Sequence, residues 1–87
     1  MTDDSFRPHR RPDIRTESVS GELVLYDAAG GRAAYLNPSA ATIWALCDGQ
    51  RSVAEIIEYL TREIGGDTIA RDVTDTVERF RTAGLVA

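Results

Sequence analysis

From Ile14 the pattern of apolar and polar positions is strand-like, and after Asn37 apolar positions recur at helical spacing. IRTESVS reads as a weak strand of mixed polarity. GELVLYD is a stronger one, because Leu23, Val24, Leu25 and Tyr26 bring β-favouring side chains. DAAGG then breaks the run, since Gly30 or Gly31 takes a positive φ there without steric cost. RAAYLN returns as a third strand, so residues 14–36 are expected to form a three-stranded antiparallel meander. The small Ala33 and Ala34 leave room above that last strand.

The second half predicts three helices. Asn37 is a good N-cap, and Pro38 stands where a missing N–H costs nothing. Ala41, Ile43, Trp44 and Cys47 give the first helix a buried side, and Asp48-Gly49 ends it. Ser52 opens the second helix with Glu55 completing a capping box. Val53, Ile56, Ile57, Leu60 and Ile64 form its apolar stripe before Gly65-Gly66 stops it. Asp67 or Thr68 caps the third helix, whose core side is Ile69, Val73, Val77 and Phe80; Gly84 closes it, and LVA tucks in or ends as a short extension. The expected fold is α+β and winged-helix-like, β-β-β-α-α-α, with a meander beside a helix-turn-helix pair.

Composition narrows the class. Eighty-seven residues make one small domain. No apolar run approaches the roughly 20 residues of a membrane span. The start, MTDDSFRPHRRPDIR, lacks the apolar stretch of a secretory signal, and one cysteine leaves no disulfide framework. A cytoplasmic protein without membrane contact is expected. Residues 1–13, with Pro8 and Pro12 among charges and only Phe6 apolar, read as a flexible solvated arm, and residues 14–87 as the domain. All ten basic residues are arginines. Residues 1–15 hold four of them against three aspartates, whereas residues 16–87 hold six against eleven acids. So acidic a body is a poor partner for phosphates, because nucleic-acid affinity rests on basic groups displacing counterions.

Chemistry is sparse. Cys47 falls on the apolar side of a helix and His9, the sole histidine, in the arm, so no nucleophile–base pair is evident. There is no Cys-x-x-Cys, no metal-ligand cluster, and no Lys-Ser/Thr after Gly30-Gly31. Glu55, Glu58 and Glu63 read as a wet helix side. The expectation is a chain that is not an enzyme and carries no cofactor or metal.

GELVLYDAAGGRAAYLNPSAATIWALCDGQRSVAEIIEYL, followed by DVTDTVERFRTAGLV, resembles the pyrroloquinoline-quinone biosynthesis protein D (PqqD) family, also known as the RiPP recognition element, where RiPP denotes a ribosomally made, post-translationally modified peptide. The resemblance covers about residues 14–87, and its most specific part is YLNPSAATIWALCDGQRSVAEI. It implies a module that binds the leader segment of a precursor peptide as an added strand against the third strand, in a groove walled by the third helix. The module then presents that peptide to a tailoring enzyme, often a radical S-adenosylmethionine enzyme. The residues do not separate the quinone-cofactor pathway from other peptide-modifying pathways.

On this resemblance the strand half of the site is Arg32, Ala33, Ala34, Tyr35 and Leu36, pairing through their backbones. Tyr35 and Leu36 alternate faces, and burial is the expected role of both side chains, as it is for Trp44. The helix half is Asp72, Thr76, Arg79 and Ala83, which share one flank of the third helix; the opposite flank, Ala70, Thr74 and Arg81, stays open as the alternative. Two other classes remain: a DNA-binding winged helix, disfavoured by Asp72, Asp75 and Glu78 on the reading helix, and a self-association module pairing its open strand with a second copy. A monomer or a weak or domain-swapped homodimer fits each.

Overall fold

A computed structural model of the chain describes residues 3–87; Met1 and Thr2, the first residues of the expected arm, lie outside it. Three strands precede three helices: β1 Ile14–Val19, β2 Glu22–Asp27, β3 Arg32–Leu36, α1 Pro38–Leu46, α2 Val53–Glu63 and α3 Ile69–Thr82. The α+β order read from the sequence is the one observed.

The strands form one antiparallel sheet in the order β1-β2-β3. Ser20 and Gly21 both have positive φ, 50° and 82°, between the closing pair Val19 and Glu22. That is the backbone of a two-residue hairpin turn matched to strand twist. The β2–β3 turn closes on the pair Asp27 and Arg32, with Gly31 at φ 65°. Leu23, Leu25 and Asp27 on β2 share a face with Ala34 and Leu36 on β3, and the helices cover this face.

α1 packs on β2, β3 and α3, and α2 packs on α3. Trp44 and Phe80, each 4% exposed, meet edge to face, with ring centroids 5.3 Å apart and planes at 82°. Leu25, Ile56, Val73 and Val77 fill in around them, and Leu85 and Val86 close the core. One stripe residue departs from expectation. Ile64 is 69% exposed: it stands one residue past the end of α2, its N–H still donating to Leu60 O at 2.9 Å.

Helix ends follow the sequence closely. The Ala40 N–H donates to Asn37 Oδ1 at 2.9 Å. In α2 the Ser52 N–H donates to Glu55 Oε1 at 3.0 Å and the Glu55 N–H to Ser52 Oγ at 3.2 Å. The first of these bonds, helped by the Ser52 hydroxyl, holds the Glu55 carboxyl below its ordinary 4.5. The Gln50 N–H, then Arg51, does the same for Asp48 against 3.8. Groups with a folded pKa below the unfolded one stabilise the fold above the unfolded value, and that contribution is lost as pH falls through the folded one. The thermal midpoint is therefore expected to drop on acidification below about pH 4.5, and Glu55→Gln, which keeps the capping geometry, is expected to flatten part of that slope in melts from about pH 6 to pH 3. At α3 Thr68 makes no capping bond; its hydroxyl donates instead to Asp72 Oδ2 at 3.1 Å.

The N-terminal segment requires a correction. Residues 3–13, expected as a solvated arm, lie against the body as a strap. The N–H groups of Val53 and Ala54, unsatisfied at the start of α2, donate to the carbonyls of Phe6 (2.9 Å) and Asp4 (3.0 Å). The Gly49 N–H donates to Pro8 O at 2.9 Å, and the Arg10 N–H to Cys47 O at 3.0 Å. His9 and Ala87 exchange both backbone bonds, at 3.2 and 2.9 Å. Pro8 is fully buried and Phe6 packs on the core. The side chains of PHRRP are polar enough for solvent, but its backbone answers donors and acceptors in distant loops, which local composition does not register.

Candidate functional site

β3 is hydrogen-bonded to β2 on one side, and among the described residues no strand pairs with its other edge. That edge offers backbone donors and acceptors at strand spacing. Leu36 is buried and Ala34 half-buried on the inner face; Ala33 and Tyr35 point to the outer one. Tyr35 is 73% exposed, against the burial expected for it. The alternation that sends Leu36 inward sends its neighbour out, beside its cross-strand partner Val24, which is itself buried.

Two cavities lie near β3, one against it and one beyond its end. One, of about 100 Å³, is lined by Leu25, Asp27, Arg32, Ala33, Ala34, Ala83 and Leu85. It brings the strand half of the expected site, through Arg32, Ala33 and Ala34, against Ala83 from the helix half. The other, of about 260 Å³ and mainly apolar, lies where β3 runs into α1, between Pro38, Ser39, Thr42, Ile43, Leu60, Ile64, Ile69, Asp72 and Val73. Ala83 therefore lies beside the start of β3, and Asp72 lines the other cavity, beside the start of α1. Between those positions on the same flank are half-buried Thr76 and exposed Arg79. The opposite flank faces the strap: the Arg81 guanidinium sits 5.2 Å from the centre of the Phe6 ring.

The smaller cavity carries on its lining a charged knot that sequence reasoning did not find. Asp27 is only 4% exposed. Its Oδ1 accepts from the Gly30 N–H at 3.1 Å, and its Oδ2 from Arg11 Nη1 at 3.3 Å. Arg11 Nη1 also donates to Gly84 O at 2.9 Å, while its Nε donates to Asp13 at 3.1 Å. The signal in the sequence was slight: an acid one residue before a glycine-containing turn, and an arginine in a segment expected to be free.

The remaining reactive groups are placed away from the edge. Cys47 is fully buried; its thiol donates to Ile43 O at 3.2 Å, and burial pushes its pKa up to about 12, which leaves no thiolate at neutral pH. The strap does bring His9 alongside Asp48 and Gly49, but the sulfur is turned inward. Among the described residues no group of three or more His, Cys, Asp or Glu is placed to hold a metal, and no helix is long and apolar enough to cross a membrane.

Fold and site together define a small α+β module whose last strand is left open beside a helix. The chain belongs to the PqqD family: residues 22–86 match the family described as Coenzyme PQQ synthesis protein D (PqqD). Among solved structures it is similar to a lasso peptide synthetase B1 complexed with the leader peptide, at 25% identity over 94% of this chain and 99% of that one, with a TM-score of 0.79. It shares its fold with TbiB1 in complex with the TbiA(beta) leader peptide, at 21% identity over 90% of this chain and 93% of that one, with a TM-score of 0.76. No curated protein sequence matches significantly.

Proposed function

We propose that this chain is a non-catalytic recognition module that captures the leader segment of a ribosomally made precursor peptide as a fourth strand along β3 and presents it to a modifying enzyme. The observation that carries this reading is the unpaired edge of β3, with one cavity against it and a second beyond its end at the start of α1; the peptide's channel would run from one to the other along α3. Family membership supports it, as do two structural neighbours that each hold a leader peptide. Arg32, Ala33, Ala34, Tyr35 and Leu36 supply the pairing backbone, and Asp72, Thr76, Arg79 and Ala83 the facing wall. The modifying enzyme is a radical S-adenosylmethionine protein or another peptide-tailoring enzyme, and the module acts in the cytoplasm as a monomer or weak homodimer.

Magnitudes say what the peptide must bring. Four strand bonds at about 0.5–1.5 kcal/mol each nearly cancel the roughly 2–5 kcal/mol needed to order a disordered segment. Micromolar binding requires about −8 kcal/mol. Two or three apolar side chains, at about 1.5–3 kcal/mol each on burial, supply most of the difference, and the apolar linings beside Ala34 and Ile43 are where they fit.

The test is a fluorescence titration with a labelled leader from a precursor gene neighbouring this one. Saturable binding near micromolar Kd is expected, and charge reversal at Asp72 or Arg79 is expected to shift it about two- to fivefold, the scale of exposed ion pairs. No saturation with the leader, together with retardation of duplex DNA at low salt, would transfer α3 to the DNA-binding alternative. The acids of α3 argue against that outcome, since Asp72 and Asp75 are both exposed on it.

A further inference from the structure

We infer that Arg11 is a positioning residue for the channel: by joining the Asp27 carboxylate to the Gly84 carbonyl, it sets the spacing of the two walls between which the leader lies. This rests on the peptide-binding reading above and adds to it a control point in the strap. Arg11 lies outside residues 22–86, the stretch matched by the family. It is also absent from the lining of the narrow cavity, so it acts through the residues that do line it.

The two walls come from separate parts of the chain. One is the β2–β3 hairpin, whose turn is locked onto Asp27. The Gly30 N–H binds the carboxylate, and a Cβ at Gly30 would stand 2.7 Å from Asp27 Oδ2, so this oxygen lies flat against the turn. The other wall is the end of α3. There Gly84 has φ 74° and the Leu85 N–H turns back to Phe80 O at 2.8 Å. Arg11 reaches both. Its Nη1 lies 3.3 Å from Asp27 Oδ2 and 2.9 Å from Gly84 O, and its main-chain N–H donates to Leu85 O at 3.1 Å. Asp13 holds the far side of the guanidinium and fixes the direction of the fork.

The Asp27 side chain is 5% exposed, so it tolerates loss of its cation poorly; a buried carboxylate left without one moves toward water. Any such movement carries the hairpin away from Ala83 and opens the cavity lined by Ala33 and Ala34. Arg10, the next residue of the strap, supplies an internal comparison. Its guanidinium donates to Trp44 O at 3.0 Å and Ala45 O at 2.8 Å, at the end of α1, and holds neither wall.

The experiment compares Arg11→Gln, Arg11→Lys and Arg10→Gln in the full chain. Each is measured by thermal melting, by leader titration at a temperature well below every midpoint, and by amide NMR of the free protein. Arg11→Gln is expected to weaken leader binding about tenfold, as when a contact that orients a site from behind is lost. It is also expected to shift the amide signals of Ala34 and Ala83. Arg11→Lys, which keeps the charge but loses the fork, is expected to fall between it and the native protein. Arg10→Gln is expected to lower the melting midpoint while leaving leader affinity and those two amides unchanged.

Native affinity in Arg11→Gln, or equal losses in the Arg10 and Arg11 variants, would overturn the inference, because a general loosening of the strap would then account for the data. If the native protein binds no leader, the peptide reading fails on its own. The wall-spacing claim is then decided by the Ala34 and Ala83 amides, which unchanged shifts in Arg11→Gln would refute.

Discussion

Proline at Ala33 and proline at Ala34 are expected to damage the protein in two different ways. Consecutive N–H groups along an antiparallel edge strand point alternately to the neighbouring strand and to the free side. One of the two prolines therefore removes a ladder bond to β2, and the other removes a donor offered to an incoming peptide. The first variant is expected to lose stability in thermal melts while its folded fraction binds leader normally. The second is expected to melt near the native midpoint and bind at least about tenfold more weakly, since one lost bond is worth roughly 1 kcal/mol and the ring obstructs the approaching chain. A single small-residue strand thus separates fold from function. If both variants kept native affinity, the peptide would have to bind elsewhere than β3.

The contrast between the two prolines also bears on self-association. The exposed edge is five residues long and begins with Arg32, and short, charged edges pair poorly with copies of themselves. What would favour a foreign peptide over a second copy is the pair of cavities, because β3 of another molecule has only one large exposed side chain, Tyr35, to offer them: its edge sequence is Arg-Ala-Ala-Tyr-Leu, and its leucine is already buried.

The fold was legible because its instructions are local. Asn37-Pro38, the Ser52–Glu55 box and the glycines at positions 49, 65 and 84 each act within a few residues, and the structure uses them where the spacing puts them. The proposed channel was legible in part. Helical periodicity placed Asp72, Thr76, Arg79 and Ala83 on one flank, but it could not say what covers the other. Part of that other flank is met by the strap, where Arg81 lies 5.2 Å from the ring of Phe6, seventy-five positions away in sequence. The same limitation hid Asp27 and Arg11, whose meaning appears only when the strap returns to the hairpin. Tyr35 and Ile64 erred differently. Tyr35 is expected in the core from its chemistry and Ile64 from its place on the helical stripe, but strand alternation exposes the first, and the second stands exposed one residue past the end of α2.

Phe80→Ala is expected to be among the most destabilising truncations, alongside that of its partner Trp44. Phe80 is 4% exposed, lies on the core side of α3 and packs its ring against Trp44. Truncating a buried phenylalanine costs about 3–5 kcal/mol, and the edge-to-face pair accounts for about 0.5–1.5 kcal/mol in such contacts. A domain of this size has roughly 5–10 kcal/mol in total, so the variant is expected to melt about 15–30 °C lower. Tyr35→Ala removes a side chain of similar size from the outer face and is expected to change stability by less than about 0.5 kcal/mol. The two aromatics sit on β3 and α3, one turned outward and one inward. Leader binding separates them as well: Phe80→Ala should weaken it through displacement of α3 even at temperatures where the variant stays folded, whereas Tyr35→Ala should leave the β3 backbone able to pair. Comparable losses of stability in the two variants would mean that the outer face of the sheet is covered in solution, and the open edge beside it would then have to be reconsidered.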